Sequence, residues 1–166
     1  PLDVAVYCFG GGMGADVVRA AGLQPGVLGQ PASEPSTPAD TRAAARALVE
    51  AGIDLLLFAG GDGTARDVCD AVGQRVPVLG IPAGVKMYSG VFAVSPEAAA
   101  EIVARLAGGE AVSVEQAEVR DIDEEAFRHD RVQSRWYGEL RVPGVRGYVQ
   151  HVKCGGKEAE PLALWQ

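Results

Sequence analysis

The chain has 166 residues, 48% of them hydrophobic, and a formal net charge of −7. That length suits one compact domain, or one domain plus an appendage, and no apolar run nears the ~20 residues of a membrane helix. The acidic balance disfavours non-specific nucleic-acid binding, which needs a basic surface, but local N–H groups and one or two cations can still hold an anionic nucleotide.

The amino end shows no basic-then-apolar export pattern. Cys8, Cys69 and Cys154 are odd in number and scattered, without the CxxC spacing of a zinc site. They point to free thiols in a reducing cytoplasm. His129 and His151 are too isolated to suggest a metal site.

In chain order, residues 2–9 read as a strand with Val4, Val6 and Cys8 on one face. Gly10, Gly11, Gly12, Met13 and Gly14 follow, then a helix over 15–21 stopped at Gly22. This loop reads equally well as nucleotide-facing and as a tight turn between strand and helix. Pro25, Pro31, Pro35 and Pro38 exclude a helix over 23–38, leaving room for a short strand at 26–28. Asp40 or Thr41 can cap a helix over 41–50 that closes at Gly52.

The apolar run 53–59 then empties into Gly60-Gly61-Asp62-Gly63-Thr64, and a helix over 65–72 leads out. A buried strand, a glycine turn and a helix start make an anion site, because backbone N–H groups can approach a phosphate closely. Asp62 is an odd neighbour for phosphate. It reads as a base or metal anchor beside a transferred phosphoryl group, or as a turn aspartate or helix cap. Three glycines around one carboxylate favour the first reading. Arg66 reads more readily as a solvated or ion-paired arginine than as a phosphate ligand.

Residues 76–81 form the next strand, so the order is β-α-β-α-β. That is an α/β, Rossmann-like pattern, a parallel sheet with flanking helices. Ligands of such sheets bind beyond the carboxyl ends of the strands, where the loops at Gly10, Gly60 and Gly80 would all meet. In the third loop Pro82, Gly84 and Gly90 shape a rigid turn around Lys86, its one cation and a partner for phosphate or carboxylate. Ser89 and Tyr88 offer hydroxyls nearby, and Tyr88 receives no chemical role.

Ser95 caps a helix over 96–106, stopped by Gly108 and Gly109. Beyond it strands are expected over 111–121, 135–143 and 148–153, with Asp123 capping a short helix over 124–128. Asp121, Asp123, Glu124 and Glu125 read as a solvated acidic turn, lacking the glycine of a calcium loop. Trp136 and Trp165 read as packing residues, and 158–166 as the start of a helix. The expected division is a nucleotide-binding α/β domain over 1–110 and the start of a β-rich second lobe over 111–166.

Gly60-Gly61-Asp62-Gly63-Thr64 resembles the GGDGT signature of the NAD kinase superfamily, shared with diacylglycerol and sphingosine kinases. Residues 80–93, Gly80-Ile81-Pro82-Ala83-Gly84-Val85-Lys86-Met87-Tyr88-Ser89-Gly90-Val91-Phe92-Ala93, are similar to the microbial ATP-NAD kinase-like (AcoX-like) branch, and the likeness extends through 121–128. The resemblance implies phosphoryl transfer from ATP, or inorganic polyphosphate, to the 2′-hydroxyl of NAD, giving NADP. It implies Asp62 as the catalytic group that accepts or orients the hydroxyl proton. Gly60, Gly61, Gly63, Thr64, Gly84, Lys86 and Ser89 would bind nucleotide and phosphate, with Gly11, Gly12, Met13 and Gly14 as an additional loop. Magnesium would bridge donor oxygens, and a cytoplasmic homo-oligomer is expected by analogy, with small-molecule nucleotides as partners and no nucleic acid or membrane.

Two alternatives stand beside this reading: a kinase of a lipid or another small hydroxyl compound, and a nucleotide-binding regulatory module without catalysis. The acidic balance argues against a membrane-facing lipid kinase. The family also carries a strand and glycine turn before this point and a further domain after it. The chain therefore reads as the central part of a longer protein, and these residues alone need not be active.

Overall fold

The computed structural model describes residues 4–84, 87–122, 134–145, 147–150 and 160–162. Its first half is built from two parallel strand–helix–strand units. β1 (Tyr7–Cys8) pairs with β2 (Gly26–Val27) across α1 (Ala15–Ala20). β3 (Leu56–Gly60) pairs with β4 (Val78–Pro82) across α3 (Asp62–Val72), and α2 (Pro38–Glu50) packs against α3. The α/β class read from the sequence is therefore present. The strands form two separate parallel pairs, not one continuous ladder. The strand expected over 2–9 is limited to Tyr7 and Cys8 in the described region, because the proline-flanked β2 offers only two residues to pair with.

Residues 91–93 extend the second pair. Gly80 N–H donates to the Val91 carbonyl and Ala93 N–H to the Gly80 carbonyl, each at 2.9 Å. Ala93 in turn bridges Val149, within the described part (148–150) of the strand expected over 148–153. The core gathers on this sheet. Phe58 and Phe92 meet edge to face with centroids 5.5 Å apart, over Val68, Val72, Leu79 and Ile102. Gly80 permits that contact, since a Cβ there would lie 2.4 Å from the Phe92 ring.

Two helix starts show how local chemistry sets the boundaries. Ser95 Oγ accepts the Ala98 N–H at 3.1 Å and opens α4 (Pro96–Ala107), as expected. α2 begins earlier than its expected start at residue 41. Its N-cap is Thr37, Pro38 occupies the first turn, and Asp40 closes a capping box. The Asp40 carboxylate accepts the Ala32 N–H at 2.7 Å, the Thr37 N–H at 2.8 Å and the Thr37 hydroxyl at 2.7 Å. Asp40 is thus the reciprocal member of the box, and the loop over 23–38 is tied to the helix through Ala32.

The second lobe is antiparallel. β5 (Val112–Ile122) pairs with β6 (Ser134–Gly144) on one edge and β7 (Glu160–Leu162) on the other. The helix expected to start near 158 is not formed at 160–162, where pairing with β5 prevails, and Pro161 is admissible because β7 is an edge strand. The helix expected over 124–128, its cap Asp123, and Trp165 lie outside the described residues. The register shifts at Val119 and Arg120, leaving Tyr137 as the extra residue of a β-bulge. Tyr137 O–H donates to Asp70 of α3 at 2.7 Å. Gly138 brings β6 close to α3, since a Cβ there would lie 2.9 Å from Cys69 Sγ. Trp136, expected in packing, is instead 59% exposed.

The Ala32 N–H, ahead of the Thr37 donors, holds the Asp40 carboxyl below its ordinary value. A depressed folded pKa stabilises above the unfolded value of about 3.9, and that contribution is lost as pH falls through the folded pKa. Asp40→Asn is expected to lower Tm at pH 7 and to flatten the fall of Tm below pH ~4. Thermal melts from pH 7 downward would check both; an unchanged acid-side slope would contradict the role of this carboxylate.

Candidate functional site

Everything at the carboxyl end of β3 is arranged around one carboxylate. β3 ends at Gly60, Gly61 is the N-cap of α3 and Asp62 is its first residue. The helix therefore starts earlier than the expected residue 65. An acidic residue in the first turn suits the positive end of the helix dipole. Asp62 is 9% exposed, and its carboxylate serves neither of the local purposes open to a turn aspartate. It reaches across to the loop after β4. Tyr88 N–H donates to its Oδ2 at 2.8 Å and Ser89 N–H to its Oδ1 at 2.9 Å.

The same loop is fastened at both ends. Ala83 N–H donates to the Gly60 carbonyl at 3.0 Å. Gly84 lies over Gly61, with 3.7 Å from its would-be Cβ to the Gly61 Cα. At the far end Ser89, fully buried, engages β5: its Oγ accepts the Arg120 N–H at 2.9 Å and donates to the Arg120 carbonyl at 3.4 Å. Gly90 N–H donates to the Glu118 carbonyl at 2.8 Å. The Ser89 hydroxyl, read from sequence as a phosphate ligand, is thus occupied by the backbone of β5. Tyr88, given no chemical role, contributes through its amide and not its phenol.

The glycines of the motif divide by function. A Cβ at Gly60 would lie 2.3 Å from Thr64 Oγ1, so Gly60 makes room for the Thr64 side chain. Among the described residues, Cβ atoms at Gly61 or Gly63 would meet nothing within 4 Å, and Gly63 is exposed. No side chain caps α3. The first turn of α3 therefore has backbone N–H groups without an intrahelical partner beside a buried carboxylate, which is a place for an anion. Lys86 and Val85 lie outside the described residues.

The Gly10 loop is built on β1. Residues Gly11–Met13 form a 3-10 turn, and Gly10 N–H donates to the Gly29 carbonyl at 2.8 Å. Gly11 (φ 57°) and Gly14 (φ 130°) adopt backbone angles that favour glycine, while Gly12 is exposed and a Cβ there would meet none of the described residues within 4 Å. Met13 is half-buried. Among the described residues no hydrogen bond joins this loop to the Asp62 turn. Backbone hydrogen bonds join the Gly60 turn to the loop after β4, while the Gly10 loop belongs to the β1–β2 pair.

Charges around the turn are paired. Arg66, one turn along α3 from Asp62, donates to Asp121 at 3.0 Å and lies over the Tyr137 ring. Arg135 shares Asp121 at 3.3 Å, and Arg42 of α2 pairs with the buried Asp67. The Asp70 hydrogen bond, with burial, pushes the Tyr137 phenol up. Among the described residues no three His, Cys, Asp or Glu side chains gather to hold a metal. A small depression lined by Asp54, Leu55, Pro77, Leu106, Ser113 and Pro143 lies at the opposite end of β3 and β4, away from Asp62.

The family model of the ATP-NAD kinase N-terminal domain matches residues 4–111, well over half of the chain. Comparison with curated proteins and with solved structures returned no match.

The glycine division predicts opposite outcomes for two similar substitutions. Gly60→Ala must displace Thr64 and is expected to cost ~1–3 kcal/mol. Gly63→Ala, in open space on a helix, is expected to gain ~0.4–1 kcal/mol and to weaken anion binding. Denaturant melts with and without pyrophosphate would test this. A stabilised Gly60→Ala, or a Gly63→Ala that binds normally, would contradict it.

Proposed function

The chain belongs to the NAD kinase family through its amino-terminal domain, and from this premise we propose that it transfers a phosphoryl group from ATP, or polyphosphate, to the 2′-hydroxyl of NAD. The observation that carries the proposal is the Asp62 carboxylate, held at the open first turn of α3 by the amides of Tyr88 and Ser89. The similarity of residues 80–93 to the AcoX-like branch supports the same reading.

An ionised carboxylate has about four lone-pair directions. Two accept amide hydrogens, which leaves capacity for a substrate hydroxyl. Asp62 orients the 2′-hydroxyl and takes its proton as the new O–P bond forms and the bond to the leaving ADP breaks. The free N–H groups at Gly61, Gly63 and Thr64, the Thr64 hydroxyl and the backbone at Gly84 receive phosphate oxygens, and Gly60 shapes that cradle. Lys86 supplies the cation, and Gly11, Gly12, Met13 and Gly14 a further contact to the dinucleotide. Magnesium, if bound with the donor, would supply charge neutralisation on the transferred group. Ser89 acts by holding its loop. The protein works in the cytoplasm, as a homo-oligomer by analogy with the family. No helix among the described residues is long and apolar enough to cross a membrane.

Asp62→Asn is expected to reduce NADP formation by ~10²–10⁴-fold. The amide would face one backbone N–H without accepting it, so Tm should fall by only a few degrees, roughly the effect of one lost hydrogen bond. The assay is purified protein with ATP, magnesium and NAD, followed by detection of NADP. Wild-type turnover by Asp62→Asn would refute the assignment. Nucleotide binding without product from the wild type would favour a regulatory module, and product only from another hydroxyl compound would favour a different acceptor.

A further inference from the structure

We infer that Ser89 is a positioning residue through which the β-rich lobe sets the geometry of Asp62; the inference rests on the kinase reading for its consequence in turnover, but not for its structural content. Ser89 is fully buried, and its Oγ makes a two-way hydrogen-bond pair with the N–H and carbonyl of Arg120. Its own N–H holds Asp62 Oδ1, and the neighbouring Tyr88 N–H holds Oδ2. One residue therefore joins the lobe's strand to the acid within a single side chain and peptide unit.

The anchor on β5 is itself made firm. Arg120 sits at the register shift of the bulge. Its guanidinium donates to Glu118 Oε2 at 2.6 Å, to Ser134 Oγ at 2.9 Å and to the Ser134 carbonyl at 2.9 Å. Glu118 also presents its carbonyl to Gly90. Bulges re-aim side chains and backbone groups beside functional sites, and here the shift coincides with the strand's attachment to the loop. Removing the Ser89 hydroxyl leaves the Arg120 N–H and carbonyl without that partner. It also frees the segment carrying both amide donors, so that Asp62 samples orientations that do not face the substrate.

The test is Ser89→Ala, a small truncation that retains the apolar contacts of its site, with Ile102→Val in α4 as a control for loss of core stability. In Ser89→Ala, backbone amide exchange at Tyr88 is expected to speed at least ~10-fold relative to wild type. The kcat for NADP formation should fall by on the order of 10²-fold with KM for NAD nearly unchanged, as expected for misplacement of a reacting group. Ile102→Val should keep both the Tyr88 exchange rate and kcat. An unchanged Tyr88 exchange rate, an unchanged kcat in an active enzyme, or an equal loss of kcat in Ile102→Val would overturn the inference. A wild-type protein that makes no NADP, together with faster Tyr88 exchange in Ser89→Ala, would uphold the positioning of Asp62 and sink the kinase reading alone.

Discussion

A buried carboxylate must be met by donors, and at Asp62 they come from two consecutive backbone amides 26 and 27 residues away. This pairing decides the path of the chain after β4. The loop has to return over the Gly60 turn, close enough for Ala83 to bond Gly60 and for Gly84 to cover Gly61. It must then present two N–H groups side by side to one carboxylate. An unmatched acid in that position would carry a large desolvation cost. With the amides present, the acid is held at the mouth of α3, where the helix's own free N–H groups add positive potential.

The β-rich lobe is part of this arrangement and not an appendage. It holds the far end of the loop through Ser89 and Gly90. It also grips the helix that carries Asp62. Arg66 reaches Asp121, Tyr137 reaches Asp70, and Gln74 donates to the Glu139 carbonyl at 2.7 Å. Individual surface ion pairs of this kind contribute little. Their value here is geometric, since α3 and residues Ser89 and Gly90 are all fastened to β5, and α3 to β6 as well.

Much of this was legible in the sequence. The glycine turn between strand and helix, the apolar core strands and the Ser95 cap follow from local chemistry, and the structure keeps them. The misreadings have physical causes. Helix starts at 41 and 65 were set too late: Thr37 and Pro38 form a better entry than Asp40 alone, and glycines are tolerated in a first turn whose acid suits the dipole. The strand at 160–162 depends on pairing with β5, which no local pattern reveals. Arg66 proved ion-paired, as the simpler expectation held. The partners of Asp62 were hidden because they are backbone groups, and a sequence lists side chains. Ser89 is legible only as a hydroxyl for phosphate, and its bond to Arg120 is hidden for the same reason, as half of that contact is main chain.

The most direct measurement is a backbone-amide NMR titration of the protein with NAD. The account predicts that the largest saturable shifts fall on Gly61, Gly63 and Thr64 at the start of α3 and on Tyr88 and Ser89, whose amides hold the Asp62 carboxylate. Saturable binding that leaves those five signals in place, with shifts confined to β1, β2 or the far end of β3 and β4, would contradict it.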